Sequence, residues 1–476
     1  VPYYVNEYFQ LEDTESLENQ TPRWDPFGEF VFYRTYSRIK ASGKQENWAD
    51  VVIRVINGIM SIRKDHYIKN RIEWDERRWQ SYASEMAQYM FDMKWLPPGR
   101  GLWAMGTSFV VERGSMALYN CSAVKLGNST RFANDIHWMM DCLMLGVGVG
   151  FEALRDDLQI CRPEGKFHYE IPDTREGWCD ATKLLIEAYT QPGRYEPQFD
   201  YSKIRVKGLP IKGFGGQASG PDPLISLHDD IRSLCTTPGI SPLRLKTDIA
   251  NKVGCCVVSG NVRRSAELAK GSIKDREFMD LKDYTKYPER ESFGWMSNNS
   301  VALVDDDDFE RLGEIAKRVV ERGEPGLLNL RNFKYGRVGK PTPLRDDLAD
   351  QVNPCGEIPL EDKETCNISE TLPTRCNNDE EWLRACEFAS FYSSTVSLLP
   401  THRAETNAVI SRNRRIGVSI VDVTGWIHDT SMNRVIKMMR KGYEVVRATN
   451  RLANGEAGVP EAIRVSTIKP GKRTAA

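Results

Sequence analysis

The sequence predicts an α/β protein with a mainly parallel sheet and helices on its outside. Two observations carry this expectation. Strand-type and helix-type patterns alternate along most of the chain, which is the grammar of a parallel sheet whose crossovers are helices. At 476 residues the chain can also bury a substantial core, and one large α/β domain is as compatible with that length as three small ones. The formal net charge of −1 leaves no electrostatic footprint for DNA or RNA, so nucleotides, if bound, are bound one at a time. The longest apolar run, Trp138 to Phe151, is broken by Asp141 and by glycines, well short of the roughly twenty apolar residues of a membrane span. Val1 to Glu15 is acidic and aromatic, unlike a signal peptide. These features predict a cytosolic protein without a membrane or nucleic-acid partner.

Taken in order, Val1 to Phe30 reads as irregular, and two helices follow the stretch from Phe32 to Arg38. In the second, Asp75 is the expected cap, and Trp79, Tyr82, Ala83, Met86 and Met90 recur at helical spacing as one buried stripe. That helix runs out at a loop from Pro97 to Gly101. Tyr119 to Val124 reads as a short strand before a helix starting near Arg131. Gly146-Val147-Gly148-Val149-Gly150 then follows the helix and precedes a strand, the reverse of a dinucleotide fingerprint. Alternating glycines along a strand predict something packed against the backbone, either a nucleotide or a neighbouring loop.

Asp173 or Thr174 caps a helix that runs through Tyr189. A basic, glycine-containing loop with Arg205, Lys207 and Lys212 comes next and is suited to phosphates or a base. Cys255-Cys256 reads as core. Asp305 to Asp308 reads as a helix cap rather than a metal site, followed by a helix with Phe309, Leu312, Ile315, Ala316 and Val319 inside and Gly323 and Pro325 as its stop. Ile416 to Ile420 is a strand and Arg434 to Leu452 a helix.

The chemistry concentrates in Asn353-Pro354-Cys355-Gly356-Glu357-Ile358. In an extended segment Asn353, Cys355 and Glu357 share one face, while Pro354 and Gly356 suit a tight loop tip. The alternatives are a tip that carries reactive side chains into a cavity and a turn around a buried cysteine. Among the eleven cysteines no C-x-x-C occurs, so a structural zinc site is not expected. Cys142, Cys161, Cys179, Cys235, Cys376 and Cys386 stand in helical or apolar contexts where burial is the default. Cys121, Cys355 and Cys366 do not.

As a set, the strings P-P-G-R-G-L-W-A-M-G-T at 97–107, Y-N-C-S-A-V at 119–124, I-P-D-T-R-E-G-W at 171–178, G-F-G-G-Q-A-S-G-P at 213–221, G-N-V-R-R-S-A-E at 260–267, N-P-C-G-E-I at 353–358 and R-N-R-R-I-G-V-S at 412–419 resemble the monomeric, adenosylcobalamin-dependent (class II) ribonucleoside-triphosphate reductases. The resemblance implies a ten-stranded α/β barrel of two antiparallel five-stranded halves around a central finger loop. It divides the chain into a mainly helical region at 1–115 and a partial barrel at 116–476, with an effector-binding segment at about 171–220.

The resemblance also implies reduction of ribonucleoside triphosphates to 2′-deoxyribonucleoside triphosphates by a thiyl-radical route. Cys355 matches the radical cysteine, Glu357 the carboxylate that handles the 3′-hydroxyl proton, and Asn353 the amide that orients substrate. Cys121 and Cys366 match the pair that supplies two reducing equivalents and ends as a disulfide. Adenosylcobalamin is the implied cofactor, through contacts that no motif here identifies, and no separate metal site is implied. Asp173, Arg175, Arg205 and Lys207 fall where deoxynucleoside triphosphate effectors bind, and thioredoxin or a similar dithiol is the implied reductant. After Pro470 the sequence leaves the family pattern, which continues with Ser-Gly-Thr. The expectation is therefore a barrel truncated at its carboxyl end, with a second fragment as a partner able to complete it. Two other readings are a class I large subunit, which uses a radical-generating partner protein, and a nucleotide-binding fragment without turnover.

Overall fold

The computed structural model describes residues 4–155, 157–211, 216–259, 266–336, 342–343 and 347–466. Expectations for Lys212, for 213–215, for 260–265 and for the stretch after 466 lie outside the described residues. The chain divides into two compact units, Val1–Asn120 with Thr365–Ala476, and Cys121–Glu364.

The first unit opens with helices. Asn47 and Asp50 form a reciprocal capping box that starts α1 (Trp48–Lys69), satisfying orphan backbone N–H groups. Val51, Val52, Val55, Ile56, Ile59 and Met60 make its wholly buried face, each contributing roughly 1.5–3 kcal/mol of burial. Asp75 caps α2 (Glu76–Phe91) by accepting the Arg78 N–H at 3.0 Å, and Trp79, Ala83, Met86 and Met90 are buried as the spacing predicts, with Tyr82 partly so. The chain then enters β1 (Trp95–Leu96).

Two expectations are corrected in this unit. The amino-terminal stretch is not wholly irregular, because Asp25 caps a helix at Pro26–Thr35. The 97–101 loop is instead the start of a short helix, Gly99–Ala104. Its end is held by Arg54, which donates to the carbonyls of Leu102 (2.8 Å) and Met105 (2.6 Å) while pairing with Glu46. A cation at the carbonyl end satisfies groups that the helix leaves open.

The second unit is built on five parallel strands, β2 (Cys121–Leu126), β3 (Gly148–Ala153), β6 (Glu267–Ser272), β7 (Ser297–Leu303) and β8 (Gly326–Asn329), neighbours in that order. α3 (Phe132–Met144) connects β2 to β3. Between β3 and β6 lie a two-stranded parallel sheet of β4 (Lys166–Glu170) and β5 (Glu196–Asp200), joined through α4 (Arg175–Thr190), and then α5 (Pro242–Val258). Thr174, not Asp173, caps α4 by accepting the Gly177 N–H at 2.9 Å.

Asp305 and Asp308 form a capping box, as the acid run predicts, ahead of α6 (Leu312–Arg322), which Gly323 ends in the left-handed conformation. Of the expected buried stripe Ile315 is fully buried, Phe309 and Leu312 are half-buried, and Ala316 and Val319 are exposed. Among the described residues β8 is the outermost strand of this unit's sheet. The unit continues through a hairpin of β9 (Gln351–Val352) and β10 (Pro359–Leu360).

The chain then returns to the first unit. β11 (Thr365–Thr371) pairs antiparallel with β1 and parallel with β12 (Ile416–Ile420), which pairs parallel with β13 (Val465–Ser466). α7 (Asp379–Val396) and α8 (Met432–Glu456) pack there against α1. Arg63, wholly buried, joins the three helices by donating to Thr395 Oγ1 (3.1 Å) and the Ala453 carbonyl (2.6 Å). Among the described residues no helix is long and apolar enough to cross a membrane.

Candidate active site

The string at 353–358 is the tip of the β9–β10 hairpin, whose stem pairs Gln351 with Leu360 and Val352 with Pro359. Asn353 closes the tip three times over. Its N–H donates to the Ile358 carbonyl (3.1 Å), its Oδ1 accepts the Ile358 N–H (3.0 Å), and its carbonyl accepts the Gly356 N–H (2.9 Å). Gly356 has φ +84°, a conformation glycine adopts without steric cost. The expected strand-like alternation therefore does not organise these residues; a turn does. It leaves Asn353 wholly buried, Cys355 exposed and Glu357 half-buried. A tip that presents its cysteine is found, not a turn around a buried one.

Asn353 Nδ2 meets no acceptor among the described residues. A buried N–H left without an acceptor costs about 1–3 kcal/mol, so a ligand oxygen placed there would recover that penalty.

β3 seats the hairpin. A Cβ on Gly150 would lie 1.8 Å from the Val352 carbonyl oxygen, and one on Gly148 would lie 2.7 Å from Pro354 Cγ. Of the two occupants the glycine alternation allows, the neighbouring loop is the one present. The same seat places Cys121. It is in register with Gly148 across adjacent parallel strands, and residues so paired point to the same face of a sheet. Cys121, nearly buried, thus faces the hairpin side one strand from Pro354. Cys366, the second residue of β11, belongs to the first unit and is wholly buried, and its carbonyl accepts the N–H of Asn120 of the same unit at 3.0 Å.

The four residues expected at the effector site differ in their contacts. Asp173 and Arg205 pair at 2.7 Å, and Arg205 also donates to the Pro210 carbonyl (3.1 Å). Arg175 turns instead to the buried Asp141 of α3 and to Glu176, and Lys207 is exposed. Among the remaining cysteines, Cys142, Cys179, Cys235, Cys256 and Cys386 are buried, whereas Cys161, Cys255 and Cys376 are only half-buried. The carboxylates of Asp305, Asp307 and Asp308 lie close together, and the Lys274 ammonium sits among them, 2.8 Å from Asp305 and 3.2 Å from Asp307.

Sequence reasoning missed the residues under the hairpin stem, Lys125, Glu152 and Lys270. A signal for two of them exists in the spacing, since Lys125 lies four residues after Cys121 and Glu152 four after Gly148, on the same faces.

Residues 11–107 match the ribonucleotide reductase alpha domain, and residues 149–235 match the insertion domain of B12-dependent ribonucleotide reductase. The adenosylcobalamin-dependent ribonucleoside-triphosphate reductase of Lactobacillus delbrueckii subsp. bulgaricus is 32% identical over 94% of this chain and 72% of its own length. The chain belongs to this reductase family. A probable member from Dictyostelium discoideum is 37% identical over 96% of the chain, and one from Euglena gracilis is 36% identical over the same share. The chain spans 64% of the length of these last two relatives.

A crystal structure of a B12-dependent (class II) ribonucleotide reductase superposes with TM-score 0.86 over 99% of this chain and 76% of that one, at 27% identity. The α/β fold expected from the sequence is therefore that of the class II reductases. The class Id alpha subunit of Actinobacillus ureae reaches TM-score 0.54 at 13% identity, a likeness of fold alone.

Proposed function

We propose that this protein reduces ribonucleoside triphosphates to 2′-deoxyribonucleoside triphosphates with adenosylcobalamin, in the cytoplasm. The observation that carries the reading is the hairpin tip, where an exposed thiol stands two residues from a buried amide whose N–H groups have no acceptor in the described chain. Its family membership agrees with it.

Cys355 is the group that must meet the cofactor, and its exposure at the tip fits a reagent that approaches from outside the unit. When bound, adenosylcobalamin supplies the first radical, chemistry that side chains do not generate unaided. The chain's own residues do the rest. Cys355, as a thiyl, takes the 3′ hydrogen from the ribose and becomes a thiol, leaving the radical on C3′. Glu357 accepts the 3′-hydroxyl proton, a general-base role within reach of the same tip. Asn353 Nδ2 donates to a substrate oxygen and holds the ribose against the tip. Cys121 and Cys366 together give two electrons and two protons and end as a disulfide while the 2′-hydroxyl departs as water. Cys355 then returns its hydrogen to C3′ and is a thiyl again, and Glu357 returns the proton to the 3′-oxygen.

Thioredoxin or a similar dithiol returns that pair to thiols. Deoxynucleoside triphosphates act as effectors through the Asp173–Arg205 pair, with Arg175 and Lys207 nearby in sequence. The test is deoxynucleotide formation from a ribonucleoside triphosphate and a dithiol by the protein containing this sequence. Turnover that requires added adenosylcobalamin supports the reading. Turnover that requires a radical-generating protein partner overturns it in favour of class I chemistry, and nucleotide binding without reduction overturns it in favour of a noncatalytic role.

A further inference from the structure

The hairpin that carries Cys355 has strands of only two residues each, and a two-stranded hairpin is marginal by itself. Something else must set how far along β3 it lies. At the base of the stem one row of charges crosses three adjacent strands, with Lys125 in register with Glu152 and Glu152 in register with Lys270. All three project toward the hairpin, because Glu152 shares the face of Gly148 and Gly150.

Their bonds go to two consecutive hairpin residues. Lys125 pairs with the Asp350 carboxylate. Lys270 Nζ donates to the Asp350 carbonyl (2.7 Å), and Gln351 Nε2 donates to Glu152 Oε2 (2.8 Å). Lys270 and Glu152 also pair with each other at 3.0 Å. Lys270 is 4% exposed. A buried ammonium is tolerated only when its hydrogen bonds are satisfied, and one of its two acceptors here belongs to the hairpin. A slide of the hairpin by one residue would take that carbonyl away and would also lift Val352 off the Gly150 seat.

We infer that Lys270, with Glu152 and Lys125, fixes the depth of the hairpin along β3 and is a positioning residue for Cys355. The catalytic meaning of this rests on the reductase reading above, whereas its test does not. The whole chain is treated with iodoacetamide without cofactor or nucleotide, and alkylation is followed thiol by thiol by mass spectrometry, with half-buried Cys161 and Cys376 as internal references. In Lys270→Met the Cys355 rate should shift by about tenfold or more relative to the references, the ratio carried by one charge-assisted hydrogen bond. Lys270→Arg, which keeps a charged donor, should restore most of the wild-type rate.

Equal acceleration of all the thiols, or an unchanged Cys355 rate, overturns the inference. If Lys270→Met does not fold, Gln351→Ala decides, because it removes a bond from the hairpin side alone. A selective change at Cys355 in that variant supports the clamp, and no change overturns it. Absence of nucleotide reduction would affect none of these outcomes.

Discussion

At the stem of the finger hairpin, Asp350 and Gln351 commit a carboxylate, a carbonyl and a side-chain amide to charged groups on β2, β3 and β6. At the tip, a few residues on, Asn353 keeps a buried Nδ2 without an acceptor among the described residues, and Cys355 stands exposed. The two ends of one small element are treated oppositely. A polar group left open in a buried place is a cost, and a flexible tip would relax and satisfy it locally. Firm bonding at the stem and close seating on Gly148 and Gly150 keep the tip from doing so. Such separation of a supporting shell from a reactive shell is what preorganises a site.

Replacing Cys355 removes the reactive group of the exposed tip. Cys355→Ser should abolish nucleotide reduction, because the serine O–H bond is too strong to yield its hydrogen to the cofactor radical. The melting temperature should stay near that of the parent, since the side chain is exposed. Product assay and thermal unfolding on one preparation check both halves, and residual turnover would remove Cys355 from the radical role. Next comes the seat. Gly150→Ala puts a Cβ where the Val352 carbonyl oxygen lies 1.8 Å away, and backbone cannot yield as a side-chain end can. A cost of about 1–3 kcal/mol is expected, with faster alkylation of Cys355 as the hairpin lifts.

Asn353 serves both ends, so replacing it sharpens the contrast. Asn353→Ala removes the Oδ1 acceptor of the Ile358 N–H as well as the open Nδ2. The first loss should cost about 1 kcal/mol and accelerate hydrogen exchange at Ile358. The second should weaken ribonucleotide binding by about tenfold in equilibrium titration, the share of one buried hydrogen bond to ligand. Faster exchange with unchanged affinity would show that Nδ2 does not meet substrate.

Much of the scaffold was legible where local rules act alone. The Asp75 cap, the Asp305–Asp308 capping box and the strand from Ile416 to Ile420 all follow from nearby residues. The paired glycines of β3 announced a close neighbour, and the neighbour is the hairpin. What escaped is set at long range. The Pro26–Thr35 helix leaves Phe27 and Phe30 exposed and buries Phe32, so it shows no clean apolar face. Gly99–Ala104 is held at its end by Arg54, from a distant helix. The row of Lys125, Glu152 and Lys270 exists only once three strands are in register. Within the site, the residue types at 353–357 were legible in the string, and the roles given to them rest on the family resemblance, while the turn that arranges them needed Gly356 at positive φ.

The smallest expected effect on the hairpin comes from the opposite face of the same sheet, and that makes it the control for the other predictions. Glu267 is in register with Val149, whose side chain points away from the hairpin. Its carboxyl is buried against α5, accepts from Asn251 Nδ2 at 2.9 Å, and has no partner for Oε1 among the described residues. Burial pushes it up to about 8 from the ordinary 4.5. In the unfolded chain this group ionises near 4.5, whereas the folded protein holds its proton to about 8, so the folded state binds the extra proton in between. Its contribution to stability is therefore complete below 4.5 and is lost as pH rises toward 8, at up to about 1.4 kcal/mol per unit. Glu267→Gln should remove that slope. Denaturant titrations should show the variant close to the parent at low pH and more stable than it near neutrality, with Cys355 alkylation unchanged throughout. A parent whose stability is flat over this range would show that Glu267 is ionised in the fold, and a selective change at Cys355 would show that the two faces of the sheet are coupled.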